Sequence, residues 1–111
     1  MSAITTHILD TSAGRPASGV SIQLEHETAG GWHEIGSGVT DADGRLRTLT
    51  DSDIETGKYR LTFAIGEYFA RNGAKCFFPE VTITFAVEDA GEHYHVPLLV
   101  SPYGYSTYRG S

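Results

Sequence analysis

The residues best suited to chemistry are His7, His93, His95, Arg45 and the run that closes the chain, Ser101-Pro-Tyr-Gly-Tyr-Ser-Thr-Tyr-Arg-Gly-Ser111. An imidazole titrates nearest to neutrality of the unperturbed side chains, so it can take a proton from water and return it to a leaving group. A guanidinium can hold an anionic substrate or steady a developing oxyanion. His93 and His95 stand two apart in His93-Tyr-His-Val-Pro-Leu-Leu-Val100, directly before the tail. Imidazole, phenol, guanidinium and a terminal carboxylate therefore lie within one hairpin's reach of each other.

Other chemistries find less support. A His-x-His pair on a strand points both rings to one side and has zinc-ligand geometry, with His7 as a conceivable third ligand. No carboxylate at ligand spacing accompanies it, and no metal is expected. Serine nucleophile chemistry would need an elbow of the Gly-x-Ser-x-Gly kind and an acid paired with a histidine, and the sequence has neither. Cys76 reads as a small buried hydrophobe and Trp32 as core or hairpin packing. General-base activation of water remains, with Arg45 and Arg109 as the cationic partners.

The elements that must position these groups read as strands. Over residues 4–9, Ile4, Thr6 and Ile8 share one face and Thr5, His7 and Leu9 the other. In the His93 strand the apolar parity is Tyr94, Val96, Leu98 and Val100, which leaves His93 and His95 on the opposite side. If the two strands are neighbours, His7, His93 and His95 converge on the outer surface of one sheet.

Between these ends the chain alternates strand patterns with turn chemistry. Val20, Ile22 and Leu24 alternate with polar residues, and Gly30-Gly31 turns that strand into one through Trp32 and Ile35. Thr40-Asp-Ala-Asp-Gly-Arg45 is a tight turn whose Gly44 can take positive φ and which presents Arg45 at its exit. A polar connection over 50–57 leads to a strand over 58–65 carrying Tyr59, Leu61, Phe63 and Ile65 on one side. A short helix is expected over 67–72, closed by Gly73. Phe77-Phe-Pro79 is expected to re-enter the core, followed by a regular strand with Val81, Ile83, Phe85 and Val87. Seven or eight short strands with one short helix predict an all-β, two-sheet antiparallel sandwich, with a closed barrel as the lesser option.

Composition bounds the rest. At 111 residues the chain fits a single domain over 1–111, large enough to bury roughly two thirds of its unfolded surface in one core. Eight Lys and Arg against fourteen Asp and Glu give a formal charge of -6, which disfavours nucleic acid and anionic membrane as partners. A single cysteine excludes an internal disulfide framework and fits a reducing compartment. The start, Met1-Ser-Ala-Ile-Thr-Thr, lacks a charged segment followed by an apolar stretch, so the expected location is cytoplasmic, unless a signal peptide has been trimmed.

The sequence resembles the 5-hydroxyisourate hydrolases, the enzyme branch of the transthyretin-like proteins. The resemblance rests on Thr5-Thr-His-Ile-Leu-Asp-Thr11 with Gly14-Arg-Pro-Ala17, on Thr40-Asp-Ala-Asp-Gly-Arg45, on Phe77-Phe-Pro79, and on His93-Tyr-His-Val-Pro-Leu-Leu99 running to Tyr108-Arg-Gly-Ser111. It implies a transthyretin-like sandwich of about eight strands, a homotetramer with active sites in the channel where dimers meet, and a small-molecule substrate. The implied reaction is hydrolysis of 5-hydroxyisourate in urate degradation, without metal or organic cofactor. His7 and His95 then look like the imidazoles that activate water, and Arg45 like the substrate clamp, with Arg47 as an alternative. Tyr108 and Arg109 would contact the substrate, Ser111 would offer its hydroxyl or the terminal carboxylate, and His93 would support. Which imidazole takes the proton stays open. The competing reading is a non-enzymatic transthyretin-like carrier of a small aromatic ligand in the same channel.

Overall fold

The computed structural model describes residues 3–50 and 53–111. Part of the connection expected over 50–57, positions 51 and 52, lies outside the described residues, as do positions 1 and 2. In chain order the elements are β1 (Ile4–Asp10), β2 (Arg15–Pro16), β3 (Ser21–Thr28), β4 (Gly31–Val39), β5 (Arg45–Leu46), β6 (Gly57–Phe63), α1 (Ile65–Arg71), β7 (Val81–Val87), β8 (Tyr94–Ser101) and β9 (Gly104–Thr107).

Alternating hydrophobicity places these strands in two sheets. One runs β2-β1-β8-β9, with β5 also paired to β1, and the other runs β4-β3-β6-β7. The core between them holds Ile4, Ile8, Leu24, Leu61, Phe63 and Leu98, each fully buried, together with Tyr59 and Val100 at 1% exposure. The expected sandwich is therefore present, with one addition to its pairing. All strand pairs are antiparallel except β1 and β8, which run parallel in the register Thr5↔His95 and His7↔Pro97. Period-2 patterning reports which face a residue occupies but not the direction of the neighbouring strand.

Two local readings shift. Strand β6 ends at Phe63, and Ile65 opens the helix instead of closing the strand. The reason is the spacing of Ile65, Tyr68 and Phe69, which buries one stripe of α1 against the sheets. Gly73 does close the helix: at φ +73° it gives its N–H to Ala70 O, while Ala74 N–H reaches Phe69 O at 2.9 Å. Phe77 does not enter the core. It is 69% exposed, and its ring packs edge-on against Phe78, which meets Tyr105 at 5.3 Å. The main chain there is held by Phe77 N–H to Pro102 O at 2.7 Å, so the segment docks on the β8–β9 hairpin.

Cys76 is a half-buried free thiol packed against the core rather than a fully buried one. Trp32 lies half-buried in β4 with the Arg60 guanidinium 4.3 Å above its ring, so of core and hairpin packing it takes the hairpin.

A buried carboxylate braces the far end of β1. Asp10 accepts from Ser12 Oγ at 2.6 Å, from the Ser12 and Ala13 amides, and from Tyr68 Oη at 2.7 Å. Those bonds hold its carboxyl below the ordinary carboxylate range despite burial, and burial with the Asp10 bond pushes Tyr68 up to about 12.

Candidate active site

The site is assembled by register. Thr5 and His7 share the outward face of β1, and β8 beside it supplies His95 opposite Thr5. On the other flank β5 pairs with β1 so that Arg45 stands opposite His7. Three strands far apart in sequence thus bring two imidazoles and a guanidinium to one surface.

The turn before β5 is built to deliver Arg45. Asp41 Oδ1 accepts the Asp43 and Arg45 amides at 2.9 and 3.0 Å, and its carbonyl accepts Gly44 N–H at 2.9 Å. Gly44 takes φ +73° and its carbonyl accepts Ile8 N–H at 2.7 Å, which ties the turn to β1. A Cβ on Gly44 would lie 2.4 Å from Ile8 O, so both conformation and space require glycine.

Thr5, Thr6, Arg45, Arg47, His93, His95 and Ser111 line a polar cleft of about 230 Å³ on this surface. Thr5 Oγ1, on a residue only 7% exposed, lies 2.8 Å from His95 Nδ1 and 3.2 Å from His93 Nε2. His7, opposite Arg45 in the β1–β5 ladder, stands next to the cleft. Burial first, then the Arg45 charge, hold both His7 and His95 below the ordinary imidazole value, and His7 and His93 press His95 further the same way. Near neutrality both rings are therefore neutral and able to accept a proton. Between the two candidate clamps, Arg45 forms no ion pair among the described residues, whereas the Arg47 guanidinium lies 3.8 Å from Asp41.

The tail divides. The β8–β9 pairing breaks after Thr107 and resumes at Gly110, whose N–H reaches His95 O at 2.8 Å. Pro97 has no amide to give in the gap, and Thr107 Oγ1 donates to its carbonyl at 2.7 Å. Beyond Gly110, Ser111 lines the cleft. Tyr108 and Arg109 border a second concavity of about 340 Å³ with Ile83, Phe85, Tyr94 and His95. Arg109 lies over the Tyr94 ring at 4.5 Å and pairs with Glu92 at 3.2 Å. Within one chain these two residues are not gathered with Arg45 and Thr5.

Two participants escaped the sequence reading. Thr5 was placed on the outward face with His7, and that parity was the available signal for it. Gly110 packs so closely that a Cβ would lie 2.6 Å from His95 Cδ2, a contact that only the folded tail reveals. Among the described residues no three His, Cys, Asp or Glu side chains are grouped to hold a metal ion.

A two-sheet sandwich with a neutral imidazole pair and an arginine on one outer face defines a class, and comparison with known proteins places the chain in it. The model of the HIUase/Transthyretin family matches residues 4–110, and the chain belongs to that family. It is 48% identical over 115 residues to a 5-hydroxyisourate hydrolase of Caulobacter vibrioides, with all of both chains covered. The structure of Klebsiella pneumoniae 5-hydroxyisourate hydrolase superposes with a TM-score of 0.87 at 41% identity, covering 97% of this chain and 98% of that one. Sea bream transthyretin in complex with thyroxine superposes at 0.91 with 32% identity, covering 97% and 94%.

Proposed function

We propose that this chain, acting as one domain, hydrolyses 5-hydroxyisourate to 2-oxo-4-hydroxy-4-carboxy-5-ureidoimidazoline in urate degradation. The observation that carries the reading is the cleft in which His95, Arg45 and Ser111 meet beside His7, with both imidazoles held neutral. The similarity to named 5-hydroxyisourate hydrolases across the chain's whole length supports the substrate.

In this mechanism His95 takes a proton from water as the water oxygen bonds to a ring carbonyl carbon. Arg45 faces the negative charge that develops on the carbonyl oxygen. The carbon–nitrogen bond then breaks, and the proton held by the imidazole passes to the leaving ring nitrogen. His7 orients water and substrate from the β1 side, and the Ser111 hydroxyl holds the attacking water. Tyr108 and Arg109 contact the substrate once the tail is set in the assembled protein. The Arg109–Glu92 pair is exposed on both sides and contributes roughly 0–1 kcal/mol at most, so it yields easily.

The assembly is a homotetramer with sites where dimers meet, which covers the outer face bearing the cleft. An acidic chain of charge -6 offers nucleic acid and membrane surfaces little attraction. Among the described residues no helix is long and apolar enough to cross a membrane. The lone thiol of Cys76 fits the reducing cytoplasm.

The test is the decay of freshly generated 5-hydroxyisourate, which the protein accelerates well beyond the spontaneous rate. The second reading, a small-ligand carrier, is favoured by the shared fold with thyroxine-bound transthyretin. A carrier would bind an aromatic ligand and leave the decay rate unchanged.

A further inference from the structure

The cleft contains a hydroxyl that the proposed water activation does not use. Thr5 Oγ1 stands between two imidazole nitrogens, 2.8 Å from His95 Nδ1 and 3.2 Å from His93 Nε2. A hydroxyl has one proton to give, so it can donate to only one of these rings and must accept from the other. We propose that Thr5 is the positioning residue that fixes the tautomer of His95, accepting from His95 Nδ1–H and donating to His93 Nε2, so that the unprotonated His95 Nε2 is left for the reaction. This inference rests on the hydrolase reading for the direction of the two bonds, though not for their geometry.

The direction follows from the role of His95 in the hydrolysis: a base that takes the water proton at Nε2 carries its own proton on Nδ1, so Thr5 Oγ1 accepts there at 2.8 Å and has its own proton left for His93 Nε2. His93, exposed just before β8, gives the hydroxyl its acceptor, so the Thr5 proton points away from His95. Thr5 itself is 7% exposed, which leaves little access for water to replace either bond. Its register opposite His95, fixed by the parallel β1–β8 ladder, keeps the hydroxyl at that height. The charged and titratable groups facing His95 are Arg45, His7 and His93, with Arg47 and Ser111 across the cleft and Tyr108 and Arg109 around the concavity on its other side. Among the described residues no side chain other than Thr5 bonds His95 Nδ1.

The test is ¹⁵N NMR of the histidine rings at mildly alkaline pH, combined with steady-state kinetics on 5-hydroxyisourate. In the unsubstituted protein His95 is expected to hold its proton on Nδ1. Thr5→Val keeps the shape but removes the hydroxyl. It should give the Nε2–H form or an average of the two, and lower kcat at least about tenfold, part of the roughly 100- to 10,000-fold that a positioned base supplies. Thr5→Ser should restore the Nδ1–H form and most of kcat, with KM near the parental value in both variants. An Nε2–H signal for His95 in the unsubstituted protein overturns the inference without any variant having to fold. So does a folded Thr5→Val protein with the parental tautomer and kcat. Failure of the unsubstituted protein to accelerate the decay would instead remove the hydrolase reading and leave the tautomer measurement standing.

Discussion

His7 and His95 differ from ordinary surface histidines in what surrounds them. Burial and the Arg45 charge both oppose protonation, so the rings stay neutral to a lower pH than a solvated imidazole. Replacing Arg45 with Met removes one of those pressures. Apart from weakened turnover, the acid limb of the pH–rate profile should then move to higher pH, and an unmoved limb would show that Arg45 does not set the imidazole titration. Gly110 makes a different prediction at this scale. A methyl there would sit 2.6 Å from His95 Cδ2 and 3.1 Å from Pro97 Cγ, so the ring must turn. Gly110→Ala should cut hydrolysis severely while leaving the melting temperature close to parental, because Gly110 contributes nothing to the core. Equal losses of both would mark it as structural.

Among the elements, the turn from Thr40 to β5 has the strictest requirements. Gly44→Ala would place a side chain in the left-handed region and against Ile8 O, at a cost of about 1–3 kcal/mol from the backbone conformation alone. Urea denaturation should show that loss, and activity should fall with it because Arg45 leaves its register opposite His7. A variant as stable and active as the parent would mean that β5 is not what positions the guanidinium. This turn was readable in advance, since its Asp-Gly pair names the glycine that takes positive φ and Arg45 follows at the exit, whereas the Asp41 bonds to the amides came only with the fold. So was the face of each histidine, from alternation along β1 and β8. The parallel pairing of those strands was not readable, because pairing direction depends on the path of the chain between residues 10 and 94. Ile65 was misplaced for a related reason: one apolar residue satisfies both the period of β6 and the stripe of α1. Phe77 read as core because aromatic residues usually are, yet the fold spends it on the hairpin surface.

For the whole molecule, pH dependence follows from the two imidazoles. Their folded values lie below the unfolded value near 6.5, so between those limits the unfolded chain binds more protons than the folded one. The stability they confer is complete above about pH 6.5 and is lost progressively as pH falls through the interval toward the lowered folded values. Asp10 adds a second loss at much lower pH, below the ordinary carboxylate value near 3.8. Thermal melts should therefore show a lower melting temperature at pH 5 than at pH 7.5, and the difference should shrink in His7→Gln and His95→Gln variants. A melting temperature independent of pH over that range would contradict the buried neutral imidazoles.

The central claim is that the imidazole–arginine cleft opens the 5-hydroxyisourate ring. Its most direct test follows freshly generated 5-hydroxyisourate in parallel samples with no protein, with the unsubstituted chain and with folded His95→Ala. The expected result is rapid decay with the unsubstituted chain and a loss of roughly 100- to 10,000-fold in the catalysed rate with His95→Ala. Decay at the spontaneous rate with the unsubstituted chain, or undiminished turnover by His95→Ala, would contradict it.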